Sequence, residues 1–219
     1  MVEISTAEYA ARHGVSQRRV QAAAVAGSIP ARRVGGRWLL DDSTDHDTRP
    51  GRPLSQRTVR AVECRLSGRP DWADGLSRSE RSRLRQRLGE LRADPVPWRR
   101  IAEWTRAERR APLAYSAAAD DLEDLRSDPR LVAGGVSDPR AGISDAGFLE
   151  AHVSDSDLAA LEREYLLVRS DDAPNVELHV HPERPADPLP LGTLIFDLAR
   201  HRGPRERSAA TALIHGAVS

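Results

Sequence analysis

Apolar positions recur at helical spacing along most of this chain and switch to strand-like alternation at a few places. Residues 5–13 predict a short helix, with Ser5 or Thr6 as its cap, Glu8 in its first turn and Gly14 as its stop. A second helix is predicted over 17–26, capped by Ser16 and ended by Gly27. Its 3.6-residue period puts Val20, Ala23 and Ala24 inward and leaves Arg18, Arg19 and Gln21 pointing away from the core. Ile29–Val34 and Arg37–Leu40 then predict two short strands, joined by Gly35-Gly36, a pair suited to a tight hairpin. Trp38 is expected to pack beneath that hairpin.

Residues 41–53 are polar, acidic at first and then rich in Pro and Gly, which reads as a linker. The expected organisation is a domain over 1–42, a linker over 43–53 and a second domain over 54–219. In the second domain, helices are predicted over 54–67, 77–92, 97–108 and 117–126. Ser154 starts another that runs to Glu164, and two closing helices cover 189–201 and 204–216. Strand candidates are Leu113–Tyr115, Leu131–Val132 and Phe148–Val153. Tyr165–Val168 and Asn175–Val180 read as strands paired across a turn at 170–174. The fold class expected is α+β, with an N-terminal winged helix-turn-helix followed by a mixed α/β C-terminal domain.

Hydrophobic residues make up 39% of 219, enough for a sizeable core. No apolar run approaches the roughly 18 residues of a membrane span, and the N-terminus lacks an apolar signal stretch. A cytoplasmic protein with no membrane partner is expected. The single cysteine, Cys64, can neither staple the chain nor build a zinc site on its own. The net charge of zero conceals a split. Residues 1–110 carry 23 arginines against 14 acids, and residues 111–219 carry 10 against 19. The second domain thus divides into a basic helical part, 54–110, and an acidic part, 111–219. The absence of lysine reads as the mark of a GC-rich genome. The basic front half suits a polyanion, and the acidic rear half does not.

These features point to double-stranded DNA, at a promoter or operator, as the partner of the N-terminal segment. Arg18, Arg19 and Gln21 are expected to enter the major groove. Ser16 and Gln17 are placed at helix amides that can hold a phosphate. Arg32, Arg33 and Arg37 would grip the backbone or the adjacent minor groove. One such head spans few base pairs, so a homodimer, or side-by-side binding on repeated half-sites, is expected. The five arginines Arg78, Arg81, Arg83, Arg85 and Arg87 lie opposite a Leu84, Leu88, Leu91 stripe. They read first as a solvated helix face, with a phosphate track or a dock for an acidic partner as the alternatives.

Enzyme signatures are absent. The chain shows no phosphate loop, nucleophile elbow, Cys-His pattern or zinc spacing, and a non-enzyme without cofactor or metal is expected. His179 and His181 alternate on one strand face together with Glu177 and could share a metal, but exposed polar alternation is the reading preferred. Asp197 and His201, four apart, read as an ordinary helical side-chain pair. Asp120, Asp121, Glu123 and Asp124 mark a helix start, where acids favour the dipole, rather than a nuclease centre.

Residues 4–40, with their Gly-Val-Ser turn and Arg-Val-Gly-Gly-Arg-Trp wing, resemble the MerR/excisionase type of winged helix. The likeness stops at Pro50-Gly-Arg-Pro, where full MerR regulators continue into a dimerising helix, so no metal or drug sensing is implied. The whole chain resembles the AbiE-class antitoxins of type IV toxin–antitoxin systems of actinobacteria. The blocks that carry this are Gly51-Arg-Pro-Leu-Ser, Asp128-Pro-Arg-Leu-Val-Ala-Gly-Gly, Ala173-Pro-Asn-Val-Glu-Leu-His-Val and the stretch from Phe196-Asp-Leu-Ala to Gly-Pro-Arg-Glu-Arg-Ser-Ala-Ala. That resemblance implies a repressor of its own operon whose C-terminal domain counters a nucleotidyltransferase toxin. Two other classes stay open: a protein-interaction module whose acidic half holds a basic partner, and an excisionase-like recombination directionality factor.

Overall fold

In the computed structural model the described residues are 3–13, 15–26, 29, 31–41, 53–107 and 111–218. The turn expected at Gly14, the helix stop at Gly27, Glu108 and all of the linker over 43–53 except Pro53 lie outside them. The chain divides into two compact units, Met1–Pro50 and Gly51–Ser219. No helix among the described residues is long and apolar enough to cross a membrane.

The first unit holds strand β1 (Glu3–Ser5), helices α1 (Thr6–His13) and α2 (Gln17–Val25), and strands β2 (Ala31–Val34) and β3 (Arg37–Asp41). The strands form an antiparallel sheet in the order β1-β3-β2. Strand β1 adds an element to the sequence reading, because three residues are too few to show an alternation. Ser5 and Glu8 cap α1 reciprocally: the Glu8 amide donates to Ser5 Oγ at 3.2 Å, and the Ser5 amide donates to Glu8 Oε2 at 2.9 Å. Between β2 and β3 the chain turns at Gly35 and Gly36, both at positive φ (55° and 81°), a pairing that side-chain-bearing residues resist. Ile4, Tyr9, Ala10, Val20 and Leu40 make the small core, with Val15, Ile29 and Ala31 packed on it.

The second unit contains α3 (Gln56–Leu66), α4 (Arg78–Ala93), α5 (Pro97–Thr105), β4 (Leu113–Ser116), α6 (Asp121–Ser127) and β5 (Val132–Ala133). Two short 3₁₀ turns, Gly135–Ser137 and Pro139–Ala141, follow. Then come β6 (Leu149–Ser154), α7 (Asp155–Glu164), β7 (Val168–Arg169), β8 (Val176–His181), α8 (Leu191–Arg200) and α9 (Pro204–Val218). The architecture is α+β. Five strands form one sheet in the order β5-β6-β8-β4-β7, in which only β6 and β8 run parallel.

That order corrects the hairpin expected between 165–168 and 175–180. Strand β4 lies between them and pairs antiparallel with both, so β7 and β8 run in the same direction and cannot form a hairpin. The expected turn instead crosses the end of β4, where Ser170 donates to the Ala114 carbonyl and Asn175 to the Tyr115 carbonyl. The two segments are close in sequence, and periodicity alone gives no sign that a distant strand comes between them.

The two faces of the sheet have different chemistry. Leu149, Ala151 and Val153 of β6 and Val176 and Leu178 of β8 face Leu122 and Leu125 of α6 and Leu161 of α7 in one apolar core. The alternate residues, Glu150, His152 and Ser154 of β6 and Glu177, His179 and His181 of β8, line the opposite face by the two-residue period. Helix α8 covers that face with polar groups. Its apolar side chains Ile195, Phe196 and Ala199 join a second core with α3, α4, α5 and α9. Buried almost throughout, α8 links an all-helical layer to a polar sheet face.

Candidate functional site

On the first unit, the Ser16 Oγ caps α2 by accepting from the Arg19 amide at 3.4 Å. Val20 and Ala24 turn inward and are buried, and Ala23 is half-buried. Ser16, Gln17, Arg18, Arg19 and Gln21 are exposed along the outer side of α2. The Gln17 side-chain amide donates to Thr6 Oγ1 at 3.1 Å, which ties the start of α2 to the start of α1. Arg32, Arg33 and Arg37 are exposed on the β2–β3 hairpin, with Arg33 opposite Trp38 in the ladder. All eight residues singled out in the sequence therefore lie on the surface of this unit, four on one helix, Ser16 at its cap and three on one hairpin.

In the second unit, Leu84, Leu88 and Leu91 of α4 are buried as the sequence stripe predicts. Arg78, Arg83, Arg85 and Arg87 are exposed, and Arg85 lies 5.6 Å over the Trp72 ring. Arg81 is half-buried and donates to the Leu76 carbonyl at 3.3 Å. Helix α4 opens on a capping box in which Ser77 and Glu80 bond each other's amides. The Ser77 hydrogen bonds, helped by Arg57, hold the Glu80 carboxyl down to about 2. Asp121, Glu123 and Asp124 occupy the first turn of α6.

The second site is the covered polar face of the sheet. Parallel register sets Glu150 beside Glu177, His152 beside His179 and Ser154 beside His181. Glu150 and Asp197 are fully buried at 0% exposure, with His152 at 1% and His179 at 8%. From α8, Asp197 Oδ2 lies 2.9 Å from His152 Nε2, and the other His152 nitrogen, Nδ1, lies 2.7 Å from His181 Nε2. The His152 ring stacks on both histidine neighbours, 4.4 Å from His179 and 5.0 Å from His181.

Glu150 is the hub. Its Oε1 lies 2.9 Å from His179 Nε2 and 2.9 Å from Arg200, and its Oε2 lies 2.7 Å from His201 Nε2. The Val136 amide also donates to Oε2, at 3.1 Å, and Arg200 reaches on to Glu177 at 2.5 Å. Burial by itself works against the charged carboxylate. The hydrogen bonds from His179 and His201 and the charges of His201 and Arg200 outweigh it and hold Glu150 well below the usual carboxylate range. For His201, burial acts to lower the pKa, yet the hydrogen bond and charge of Glu150 raise it. The same carboxylate keeps Arg200 charged despite its burial.

At the start of the first 3₁₀ turn, the backbone of Gly134 and Gly135 runs against this cluster. A Cβ on Gly134 would sit 2.5 Å from His152 Cδ2, and one on Gly135, at φ +44°, would sit 1.7 Å from Glu150 Oε2. Only glycine allows so close an approach.

This face corrects two sequence readings. His179 is buried and His181 and Glu177 are half-buried, so the Val-Glu-Leu-His-Val-His alternation is not an exposed edge but a covered face. Asp197 and His201 reach across to the sheet, to His152 and Glu150 respectively, so they do not act simply as a local helical pair. The residues missed were Glu150, His152 and Arg200. A signal was available: Glu150-Ala-His-Val-Ser154 repeats the pattern of Glu177-Leu-His-Val-His181, with a carboxylate and a histidine two apart on each strand.

The chain matches no protein-family model, no curated protein and no solved structure.

Proposed function

We propose that the protein is a sequence-specific DNA-binding transcriptional regulator, in which the first unit acts as a winged helix-turn-helix. The reading is supported above all by one observation: α2 and the β2–β3 hairpin of a single small unit carry Arg18, Arg19, Gln21, Arg32, Arg33 and Arg37, all exposed. Guanidinium groups in this arrangement suit guanine edges and phosphate oxygens. In this account α2 lies in the major groove with Arg18, Arg19 and Gln21 against base edges. The start of α2, at Ser16 and Gln17, sits by a phosphate, and the hairpin arginines hold the flanking backbone.

One head reads few base pairs, so two copies act together on paired half-sites. Selection of full-length protein on a random duplex pool tests the proposal. A recurrent motif, repeated at helical spacing, is expected. A pool that stays unenriched after several rounds contradicts it.

The resemblance to AbiE-class antitoxins carries the reading one step further, to a repressor of its own operon whose second unit counters a nucleotidyltransferase toxin. Co-expression with the product of the adjacent reading frame tests that step. Restored growth is expected, and toxicity unchanged by the full chain contradicts it.

A further inference from the structure

The polar face under α8 offers more than hydrogen bonds. His152, His179 and Asp197 each present one donor atom, all within 4.8 Å of one another, and all three residues are buried. We propose that these three side chains form a binding site for a divalent first-row metal ion, zinc above all, joining strands β6 and β8 to helix α8.

The distances suit such an ion. Donors bound at 2.0–2.1 Å in a tetrahedral site lie about 3.4 Å apart. Here His152 Nε2 is 2.9 Å from Asp197 Oδ2 and His179 Nε2 is 3.8 Å from Asp197 Oδ1, so the spacings fall on either side of that value. Two imidazoles and one carboxylate are a donor set that favours zinc and its neighbours over calcium or magnesium.

The surroundings have the form of an outer ligand shell. With its Nε2 on the metal, His152 would carry its proton on Nδ1 and donate it to His181 Nε2, which lies 2.7 Å away, and that bond would fix the tautomer and the ring plane. His179 gives up its contact with Glu150 to the metal, and Glu150 keeps Arg200, His201 and the Val136 amide as donors. Gly134 and Gly135 bring backbone close to His152 and Glu150. The ligands come from three elements, so the metal would fasten the polar sheet face to the helix that carries the second core.

The test uses the full chain, stripped with a chelator and titrated with zinc chloride against a chromophoric competitor. One equivalent per chain is expected, with a melting temperature raised by roughly 5–10 °C at a hundredfold excess over Kd. Asp197→Asn and His152→Gln should each weaken binding at least tenfold, to about a tenth of the affinity or less. His215→Gln, on α9, should leave it unchanged. Cobalt(II) bound to the wild-type chain should show the intense visible bands of a four-coordinate ion, a result that holds even if a variant fails to fold. A wild-type chain that takes up no zinc, equal affinity in Asp197→Asn and His152→Gln when both fold, or a cobalt spectrum like that of the aqua ion overturns the proposal.

Discussion

His152 and His179 stand at the same level of two parallel strands and stack their rings 4.4 Å apart, 14° from parallel. Neighbouring strands usually pack apolar side chains at such positions in a covered sheet. Here the inner pair of strands carries Glu-x-His on both members, and α8 supplies Asp197, Arg200 and His201 against them. Three carboxylates, one guanidinium and four imidazoles therefore share a covered face, and their mutual pairing must offset the loss of hydration.

Glu150→Gln tests that pairing. The amide keeps the shape but removes the charge that faces Arg200, His201 and His179. Removing one partner of a buried ionic pair costs roughly 3–5 kcal/mol. Urea unfolding of the full chain should show a loss of that size. A change within about 0.5 kcal/mol, the usual range of a surface substitution, would mean that the carboxylate carries no net pairing there.

Gly135→Ala and Gly142→Ala separate close approach from backbone conformation. Both glycines have positive φ (44° and 64°), but a Cβ at Gly135 meets Glu150 Oε2 at 1.7 Å while one at Gly142 meets nothing within 4 Å. Gly142→Ala should cost only the left-handed penalty, about 1–2 kcal/mol. Gly135→Ala adds overpacking of about 1–3 kcal/mol to it. Equal thermal shifts for the two variants would refute the close contact.

Asp128 gives a pH-dependent contribution of known sign. Its carboxylate accepts from the Arg130 guanidinium at 2.9 and 2.5 Å and from the Tyr165 hydroxyl at 3.0 Å. The hydrogen bond from Arg130 lowers its pKa from 3.8 to about 2. A carboxylate depressed on folding stabilises fully above its unfolded value, and that stability is lost as pH falls through the folded one. Asp128→Asn should therefore cost roughly 2 kcal/mol near neutrality. The gap from wild type in urea midpoint should close as pH drops from about 4 toward about 2. A gap that stays constant over that range would contradict the pairing.

On the first unit, Arg18→Ala and Arg33→Ala should fail in different ways. If Arg18, on α2, meets base edges as proposed, its loss should cost roughly 1–3 kcal/mol on the preferred site and relax base preference. If Arg33, on the hairpin, meets phosphate as proposed, its loss should weaken all duplexes alike and reduce the salt slope by about one counterion. Fluorescence anisotropy on a matched and a scrambled duplex distinguishes them. Identical behaviour of the two variants would rule out this docking.

Much of the α+β layout was legible because its helices are amphipathic and capped. Leu84, Leu88 and Leu91 at helical spacing and Ser154 before α7 each mark an element by local chemistry alone. The order of the strands was not legible, since β4 enters between β7 and β8 through contacts distant in sequence. The buried cluster was hidden for a related reason. His179 and Glu177 look like solvent-facing residues until α8 covers them, and Asp197 and His201 look like a local pair until the sheet supplies His152 and Glu150. Alternation identifies a polar face, but tertiary packing decides whether water or a helix covers it.

A salt titration of full-length protein binding to the duplex upstream of its own gene is the most direct test of the central claim, that the N-terminal unit recognises DNA. A protein that contacts several phosphates through Arg32, Arg33, Arg37 and its second copy should lose affinity steeply and log-linearly with salt, while keeping a preference for that duplex over unrelated DNA. Binding that is absent at low salt, or equal for every duplex at all salt concentrations, would contradict the account.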